Sequence, residues 1–294
     1  MLPVYTRDDI AALPADSRIR LGVIGNPIAH SKSPQMQQAA LDAEGRPLTY
    51  VRLLAGTEAG AFESLLELLV RRGFAGVNVT VPFKKKAFTA AAQADDLSAL
   101  CGAANTLVRR EDGWHCHNTD GPGFERAISE LCGKTLSELN IVILGACGGA
   151  GSALCCQCIL SGCRRLTAVN RPRPELEQLH RLLQPRATGE LHTTTFSSPD
   201  FREATESADL IVNATSLGLH RGDALPLEVS LLRPGQTVYD IVTHTTPLQQ
   251  AAAERGCTVS DGLGMLLWQG AIAYNHWFGS MPDIKSMRRA LLRD

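Results

Sequence analysis

A glycine-rich run, GACGGAG, occupies residues 145–151. It follows an apolar strand pattern at residues 140–144 and precedes a helix pattern that extends to Ser161. Glycines let the backbone approach a pyrophosphate, and the start of the following helix offers free N–H groups and the positive end of its dipole. The run therefore predicts a dinucleotide site. One extra residue separates the first glycine from the glycine pair, unlike the standard GxGxxG, and a tight structural turn is the alternative. The positions expected at the phosphates are Gly145, Gly148, Gly149, Ala150 and Gly151.

The end of the next predicted strand carries the sequence Val169-Asn170-Arg171-Pro172-Arg173. A site for NAD usually has an acid here, which binds the ribose 2′-hydroxyl and would repel a 2′-phosphate. Arginine would bind that phosphate instead, and the first acid comes only at Glu175. Asn170, Arg171 and Arg173 thus indicate NADP, although without the glycine run the arginines would be read as solvated surface residues.

A polar loop in the N-terminal region, GNPIAHSKSP, leads into a helix pattern. Ser33 followed by Pro34 is typical of an N-cap and the first helical position. Capping does not explain Ser31. Two hydroxyls two residues apart at the start of a helix also make a carboxylate site.

The segment NVTVPFK combines polar side chains with a cation. Asn78 and Thr80 point to the same side of the predicted strand. Lys84 lies at a predicted helix start, where the helix dipole disfavours a cation, and a lysine held in such a place is suited to proton transfer. The alternative for Lys84 is a surface lysine, which is our interpretation of Lys85 and Lys86.

Two further segments, GAANT and NTDG, place amide and carboxylate groups after predicted strands. Both are also compatible with plain turns, because Asn, Asp and Gly favour them. If Asp120 lies beside Lys84, its carboxylate would orient the lysine and tune its proton affinity.

The elements that must position these residues alternate between strand and helix, which predicts an α/β fold. The pattern of strand, glycine turn, helix and strand past residue 120 predicts a nucleotide-binding doubly wound sheet. Strands are expected at 21–24, 48–54, 76–81, 140–144, 166–169, 210–212 and 237–241, a hairpin at 106–108 and 114–116, and helices at 34–44, 59–72, 84–94, 124–131 and 265–277.

Composition excludes several classes of protein. The net charge is −1 and aromatic residues make up 5% of the 294 residues, which disfavours a nucleic-acid partner. No apolar stretch approaches the roughly 20 residues of a membrane span, and the acidic N-terminal residues do not form a signal peptide. These features, with nine scattered cysteines, predict a cytoplasmic protein. The cluster at residues 155–163 indicates a buried helix, and we expect no metal.

The motifs GNPIAHSKSP, NVTVPFK, GAANTL, NTDG, GGAG, VNR, NATSLG and GLGMLLWQG occur in that order. This series closely resembles the shikimate dehydrogenase family from about Leu21 to Phe278. The resemblance implies an N-terminal α/β substrate domain at 1–120, completed by C-terminal helices at 262–294, and a Rossmann-type NADP-binding domain at 121–261. It also implies the reversible, NADP-dependent reduction of 3-dehydroshikimate to shikimate in the biosynthesis of aromatic amino acids.

The same resemblance implies a role for each matching residue. Lys84 is the catalytic lysine and Asp120 its partner, and Ser31 and Ser33 bind the substrate carboxylate. The positions implied at the ring hydroxyls are Thr80, Asn105, Asp120 and Gln269, with Asn78 in the same strand. Those implied at the cofactor are Asn213 and Thr215 in NATSLG, together with Ile241, Gly262 and Asp96 on the nicotinamide side.

Three departures from the family pattern concern substrate range more than reaction type. Thr243 stands where the family commonly has a carboxylate-binding tyrosine, SPxxHN is SPQMQQ, and the glycine loop has its extra residue. Quinate or an aminoshikimate is therefore an alternative substrate. A non-catalytic NADP-binding regulator on the same fold is the alternative function, and the chain is expected to be a monomer or homodimer.

Overall fold

The computed structural model describes residues 3–292. Its strands are β1 Val4–Tyr5, β2 Ile19–Gly25, β3 Thr49–Leu54, β4 Gly76–Val79, β5 Gln93–Ala94, β6 Thr106–Arg110, β7 Gly113–His117, β8 Asn140–Leu144, β9 Arg165–Asn170, β10 Glu190–Thr195, β11 Leu210–Asn213, β12 Thr237–Asp240 and β13 Thr258–Ser260. Its helices are α1 Arg7–Ala11, α2 Ser33–Ala43, α3 Ala61–Arg71, α4 Lys84–Thr89, α5 Asp96–Cys101, α6 Asp120–Cys132, α7 Gly149–Leu160, α8 Pro174–Leu183, α9 Pro199–Ser207, α10 Pro247–Glu254, α11 Leu263–Phe278 and α12 Ile284–Leu291.

The described residues divide into two compact units. The first unit runs up to Thr119 and resumes at Leu267, and the second unit is Asp120–Leu266. The resemblance placed these boundaries after residues 120 and 261. Helix α11 begins in the second unit and continues into the first, which also contains α12.

The sheet of the first unit has the strand order β1-β3-β2-β4-β6-β7-β5. Strands β1 to β4 pair in parallel, whereas β6 is antiparallel to both β4 and β7. Helix α3 covers the sheet with an apolar face that includes Phe62, Leu65 and Leu69. On α11, the Trp277 Nε1 donates to the Leu107 carbonyl at 3.1 Å. A Cβ at Gly76 would lie 2.1 Å from that nitrogen, so only glycine fits there.

The sheet of the second unit is parallel throughout, in the order β10-β9-β8-β11-β12-β13. This order, with the glycine turn after the central strand β8, is that of a doubly wound nucleotide-binding sheet. The predicted fold class is therefore confirmed. A core of Val142, Leu144, Ile211, Val238 and their neighbours lies on one side of the strands.

Three local predictions need correction. Ser33 is not the N-cap of α2, because the helix already includes it and Lys32 is the capping residue; the Ser33 N–H is instead bound by the Ser31 Oγ at 3.3 Å. The helix expected at 84–94 ends at Thr89, since residues 93 and 94 pair with β7 as a strand. The strand expected at 76–81 ends at Val79.

The cysteines at residues 155, 156 and 158 are buried in α7, as the sequence predicted. Burial raises the pKa of the Cys155 and Cys158 thiols well above the usual range and that of Cys163 to about 11. They therefore behave as small apolar residues. Across residues 3–292, none of the helices is long and apolar enough to cross a membrane.

Candidate active site

The loop between β2 and α2 carries the two serines. The Ser31 N–H donates to the Ile28 carbonyl at 3.1 Å, and the Ser31 Oγ accepts the Ser33 N–H. Ser33 is buried at the first helical position. The side chain of the N-cap residue Lys32 caps no backbone N–H. Both serines lie at the helix start, where an anion is favoured.

Arg52, which was not among the site residues predicted from the sequence, lies behind this loop. Its Nε and Nη2 donate to the Ser31 carbonyl at 3.1 and 2.6 Å. The side chain is 5% exposed, in the middle of β3. An arginine inside the otherwise apolar strand TYVRLL is the signal that would have found it, because arginine is almost never fully buried without a partner.

A buried hydrogen-bond network joins the neighbouring strands of the same sheet. The Tyr50 hydroxyl donates to the Asn78 Oδ1 at 2.7 Å, and the Asn78 Nδ2 donates to the Asn105 carbonyl at 3.2 Å and to the Thr106 Oγ1 at 3.0 Å. Both hydrogens of the Asn78 amide are thus engaged. Burial raises the pKa of Tyr50 well above its usual value, so the phenol stays protonated and acts as a donor.

The network continues to Asn105, whose amide orientation is fixed. The Asn105 Oδ1 accepts the Thr119 N–H at 2.7 Å and the Thr119 Oγ1 at 3.2 Å. The opposite end of the amide, Nδ2, lies 3.4 Å from the Gln269 Oε1 on α11. The structure therefore brings together Asn78, Asn105 and Gln269, all buried and all predicted from the sequence.

Thr80 and Lys84 lie just beyond the end of β4. The Thr80 N–H donates to the Ile24 carbonyl at 2.8 Å, and the Thr80 carbonyl accepts the Phe83 N–H at 2.9 Å. Lys84 is the first residue of α4 and is half-buried, whereas Lys85 is exposed. The backbone carbonyl of Lys84 accepts the Ala104 N–H at 3.0 Å. This bond connects the turn to the segment before Asn105.

Asp120 is the first residue of the second unit and of α6, and its side chain is 7% exposed. It directly follows Thr119, whose N–H and hydroxyl are held by Asn105. A carboxylate in the first turn of a helix is stabilised by the dipole.

The glycine run forms the turn between β8 and α7 in the second unit. Gly145 has φ +82° and donates its N–H to the Val169 carbonyl at 2.9 Å. A Cβ at Gly151 would lie 2.3 Å from the Gly145 carbonyl oxygen, whereas a Cβ at Gly149 would meet nothing within 4 Å. Glycine is thus required at residue 151 for the tight turn, and the backbone at Gly149 is open at the start of a helix of twelve residues. A helix start with an open backbone N–H is the kind of position that can hold a phosphate group.

The end of β9 holds the three polar residues predicted at the ribose. Asn170 is buried, and its Oδ1 accepts the Cys147 N–H of the glycine turn at 3.4 Å. Arg171 is exposed, and within the described residues nothing is bonded to its guanidinium. Arg173 is also exposed but makes two bonds to Glu175, at 2.9 and 2.8 Å, and this pairing raises the pKa of Arg173.

Asn213 and Thr215 are organised by a residue that the sequence analysis did not assign. The Asn213 Oδ1 accepts the Thr215 N–H and Oγ1 at 3.1 and 2.6 Å, and its Nδ2 donates to the Asp240 Oδ1 at 3.1 Å. Asp240 is fully buried and also accepts the Val242 N–H and the Thr246 hydroxyl at 3.1 and 2.8 Å. Three donors stabilise this carboxylate and hold the NATSLG turn at the ends of β11 and β12.

Ile241 and Gly262 are in direct contact. The Gly262 N–H donates to the Val242 carbonyl at 2.9 Å, and a Cβ at Gly262 would lie 2.1 Å from the Ile241 carbonyl oxygen. Asp96 is placed apart from them in the chain, in the first unit, exposed in the first turn of α5. Thr243 is half-buried and begins the turn that leads to α10, where its neighbour His244 lies 3.0 Å from the Gly218 carbonyl.

Comparison with known proteins identifies two matching family models. Residues 23–107 match the shikimate dehydrogenase substrate binding domain, and residues 262–292 match the shikimate 5′-dehydrogenase C-terminal domain. The "Shikimate dehydrogenase (NADP(+))" of Ruegeria sp. is 36% identical over 281 residues, which cover 93% of this chain and 98% of that protein.

Solved structures agree with this result. Shikimate 5-dehydrogenase from Listeria monocytogenes, in complex with shikimate and NAD, aligns with a TM-score of 0.86 and 27% identity over 96% of this chain and 98% of that one. The Thermus thermophilus enzyme, in complex with NADP(H) and shikimate, aligns with a TM-score of 0.81 and 32% identity over 93% and 98%. With its glycine turn, buried amide network and paired serines, this chain belongs to the shikimate dehydrogenase family.

Proposed function

We propose that this protein catalyses the reversible, NADP-dependent interconversion of 3-dehydroshikimate and shikimate. The observation that carries the proposal is the buried set of Asn78, Asn105 and Gln269 in the same unit as Ser31 and Ser33. A polyhydroxylated carboxylic acid needs neutral hydrogen-bonding groups for its hydroxyls and an anion site for its acid, and this unit offers both.

The residues of the second unit fit a dinucleotide with a 2′-phosphate. The Gly148–Ala150 backbone at the start of α7 suits the pyrophosphate. Arg171, exposed at the end of β9, suits the 2′-phosphate, and Arg173 is a second cation there that is already paired with Glu175. Asn213 and Thr215, fixed by Asp240, suit the lining of the cofactor cleft, and Ile241 and Gly262 suit its nicotinamide side.

In the proposed reaction, bound NADPH supplies the hydride that reduces the ketone carbon. Lys84, oriented by Asp120, donates a proton to the ketone oxygen, which becomes the new hydroxyl. In the reverse direction the lysine accepts that proton. Proton transfer in both directions therefore takes place at one oxygen atom of the substrate, with Lys84 as the general acid–base group.

Asn105, Gln269 and Thr80 would hold the ring hydroxyls, and Ser31 and Ser33 the carboxylate. Asn78 has a supporting role in this scheme, because its amide hydrogens are already donated to Asn105 and Thr106. It would fix the position of Asn105 and leave direct contact with the substrate to its neighbours.

The test is NADP⁺ reduction by the purified protein with shikimate, with quinate and without substrate. We expect reduction with shikimate at a kcat/KM well above that with quinate, and none without substrate. Activity with quinate but not with shikimate would show that quinate is the substrate. NADP⁺ binding without any turnover would favour a non-catalytic NADP-binding regulator.

A further inference from the structure

We propose that Arg52 is a positioning residue for the substrate carboxylate, which acts through the peptide of Ser31. The inference rests on the proposed function and assigns a role to the buried guanidinium behind the two serines. The ligand class is a carboxylic acid, and the neutral ester of the same ring is the discriminating probe.

Two donors of the guanidinium contact the same atom of the serine loop. Its Nε and Nη2 both donate to the Ser31 carbonyl, at 3.1 and 2.6 Å. A fork of donors on one oxygen fixes the plane of that peptide as well as its position. Lysine, with a point charge on a flexible stem, would fix the position only.

Ser31 is held on its other sides by its own loop. Its N–H donates to the Ile28 carbonyl, and its Oγ accepts the Ser33 N–H. A hydroxyl that accepts this bond retains its own hydrogen for donation to a carboxylate oxygen. Together with the Arg52 fork, these bonds set the distance between the two serine hydroxyls before any substrate arrives.

The charge of Arg52 gives the loop a preference for anions. Burial lowers the pKa of the guanidinium from its ordinary value, but arginine remains charged at neutral pH. A cation with 5% exposure interacts with nearby charges through a medium less polar than water. The site should therefore favour an acid over its neutral ester by more than the two serines alone would achieve.

The test compares shikimate with its methyl ester in the wild type, Arg52→Gln and Arg52→Lys. For Arg52→Gln we expect the KM for shikimate to rise by about ten- to a hundredfold, the effect of losing one strong charge-assisted interaction. We expect kcat and the KM for the ester to change by less than about threefold. Arg52→Lys should keep most of the preference for the acid over the ester but still raise the KM for shikimate.

Arg20 provides the matched control. It lies on β2 of the same sheet and also donates to backbone carbonyls, those of Ile19 and Ala15, but at the other end of the strand from the serine loop. Arg20→Gln should leave both KM values unchanged. The Kd for NADP⁺ and the melting temperature show whether each variant is folded.

Two results separate this inference from the proposed function. A wild type that turns over shikimate, with Arg52→Gln losing acid and ester equally or losing neither, overturns the role of Arg52 alone. A wild type that does not turn over shikimate overturns the proposed function together with this inference.

Discussion

The two units use arginine in opposite ways. In the first unit Arg52 is 5% exposed and donates two hydrogen bonds to the Ser31 carbonyl. In the second unit Arg171 and Arg173 are exposed at the end of β9, and one of them is paired with Glu175. A buried cation has its position fixed before a ligand binds, and salt weakens its interactions little. An exposed cation is mobile, and salt screens its interactions.

This difference suggests a division of labour. Buried polar groups that are already hydrogen-bonded define one geometry, which a reaction needs. Exposed charges contribute affinity that varies with ionic strength. Substitutions in the first unit should therefore alter the rate, the use of substrate or the stability, and substitutions at the end of β9 should alter the affinity for the cofactor only.

The largest effect is expected at Lys84. Replacing it with alanine should lower kcat by about 10²–10⁴-fold, the usual contribution of a general acid–base group, with a much smaller change in KM. Lys85→Ala is the control, since that neighbour is exposed. Steady-state kinetics with shikimate provides the measurement, and a Lys84→Ala variant within about threefold of wild type would remove this lysine from the mechanism.

Arg171→Ala should give the next largest effect. Loss of a charge-assisted contact to the 2′-phosphate should raise the Kd for NADP⁺ by about ten- to a hundredfold at low salt and leave that for NAD⁺ unchanged. Because Arg171 is exposed, the difference should shrink as salt is added. Arg186→Ala, an exposed arginine of the same unit, is the control. An equal loss of both cofactors would contradict the assignment.

Tyr50→Phe tests whether the hydrogen bonds of the buried network hold it in a single arrangement. The change leaves the Asn78 Oδ1 without its 2.7 Å donor in a buried site, which should cost about 1–3 kcal/mol of unfolding free energy. All three tryptophans lie in the first unit, so urea unfolding followed by tryptophan fluorescence reports on it. Tyr5→Phe, on the edge strand β1, should cost less than about 0.5 kcal/mol. Equal costs for the two variants would argue against a rigid network.

The local sequence pattern indicates the glycine turn of the second unit more directly than the buried polar groups of the first. The glycine turn needs local properties only: a strand, close backbone approach and a helix start. Arg52 and Tyr50 act across strands, and both faces of β3 are buried, so the alternation that would mark a functional face is absent. Their roles emerge only once the strand order β3-β2-β4 is known.

Two other departures have similar causes. The strand β10, ELHTTT, is polar and lies at the sheet edge, and it was not among the strands predicted from the sequence. Ser33 fits the N-cap preference, but the helix begins one residue earlier because Ser31 provides the acceptor for the Ser33 N–H. In both cases a tertiary or neighbouring partner outweighs the local preference.

A smaller, pH-dependent effect is expected from His276. Its ring stacks on His117 at 3.8 Å. Burial, then the neighbouring His117 and Arg110, lower the pKa of His276 from 6.5 to about 4, against an opposing effect of Asp95. The unfolded chain therefore binds more protons between these values, so this contribution to stability is complete above pH 6.5 and declines as the pH falls toward 4.

Replacing this histidine should flatten that decline. Urea midpoints measured from pH 7 to 4.5 should fall less steeply in His276→Gln than in the wild type. The effect should be smaller than that of Tyr50→Phe, because the imidazole is only partly buried. His192→Gln, at an exposed position of the second unit, should follow the wild type. If the urea midpoints of His276→Gln and the wild type fall in parallel with pH, the ring titrates alike in the folded and unfolded states.

The smallest effect is expected at Glu175. It shows whether the ion pair with Glu175 keeps Arg173 from binding the 2′-phosphate. Glu175 binds Arg173 through two bonds and places a negative charge near the proposed 2′-phosphate. Both side chains are about half exposed, at 49% and 44%, and ion pairs this exposed are weak. Glu175→Gln should release Arg173 for the phosphate and lower the Kd for NADP⁺ by about two- to fivefold, with no change for NAD⁺. Fluorescence titration at low ionic strength measures both constants, with Glu177→Gln on the same helix as the control.

Arg173→Ala should be nearly silent in the wild type but should abolish the gain in the Glu175→Gln background, because only there is its guanidinium available. If Glu175→Gln leaves the Kd for NADP⁺ unchanged, or if Arg173→Ala costs as much in the wild type as in that background, the ion pair does not restrain the arginine and the contrast with the buried Arg52 does not extend to Arg173.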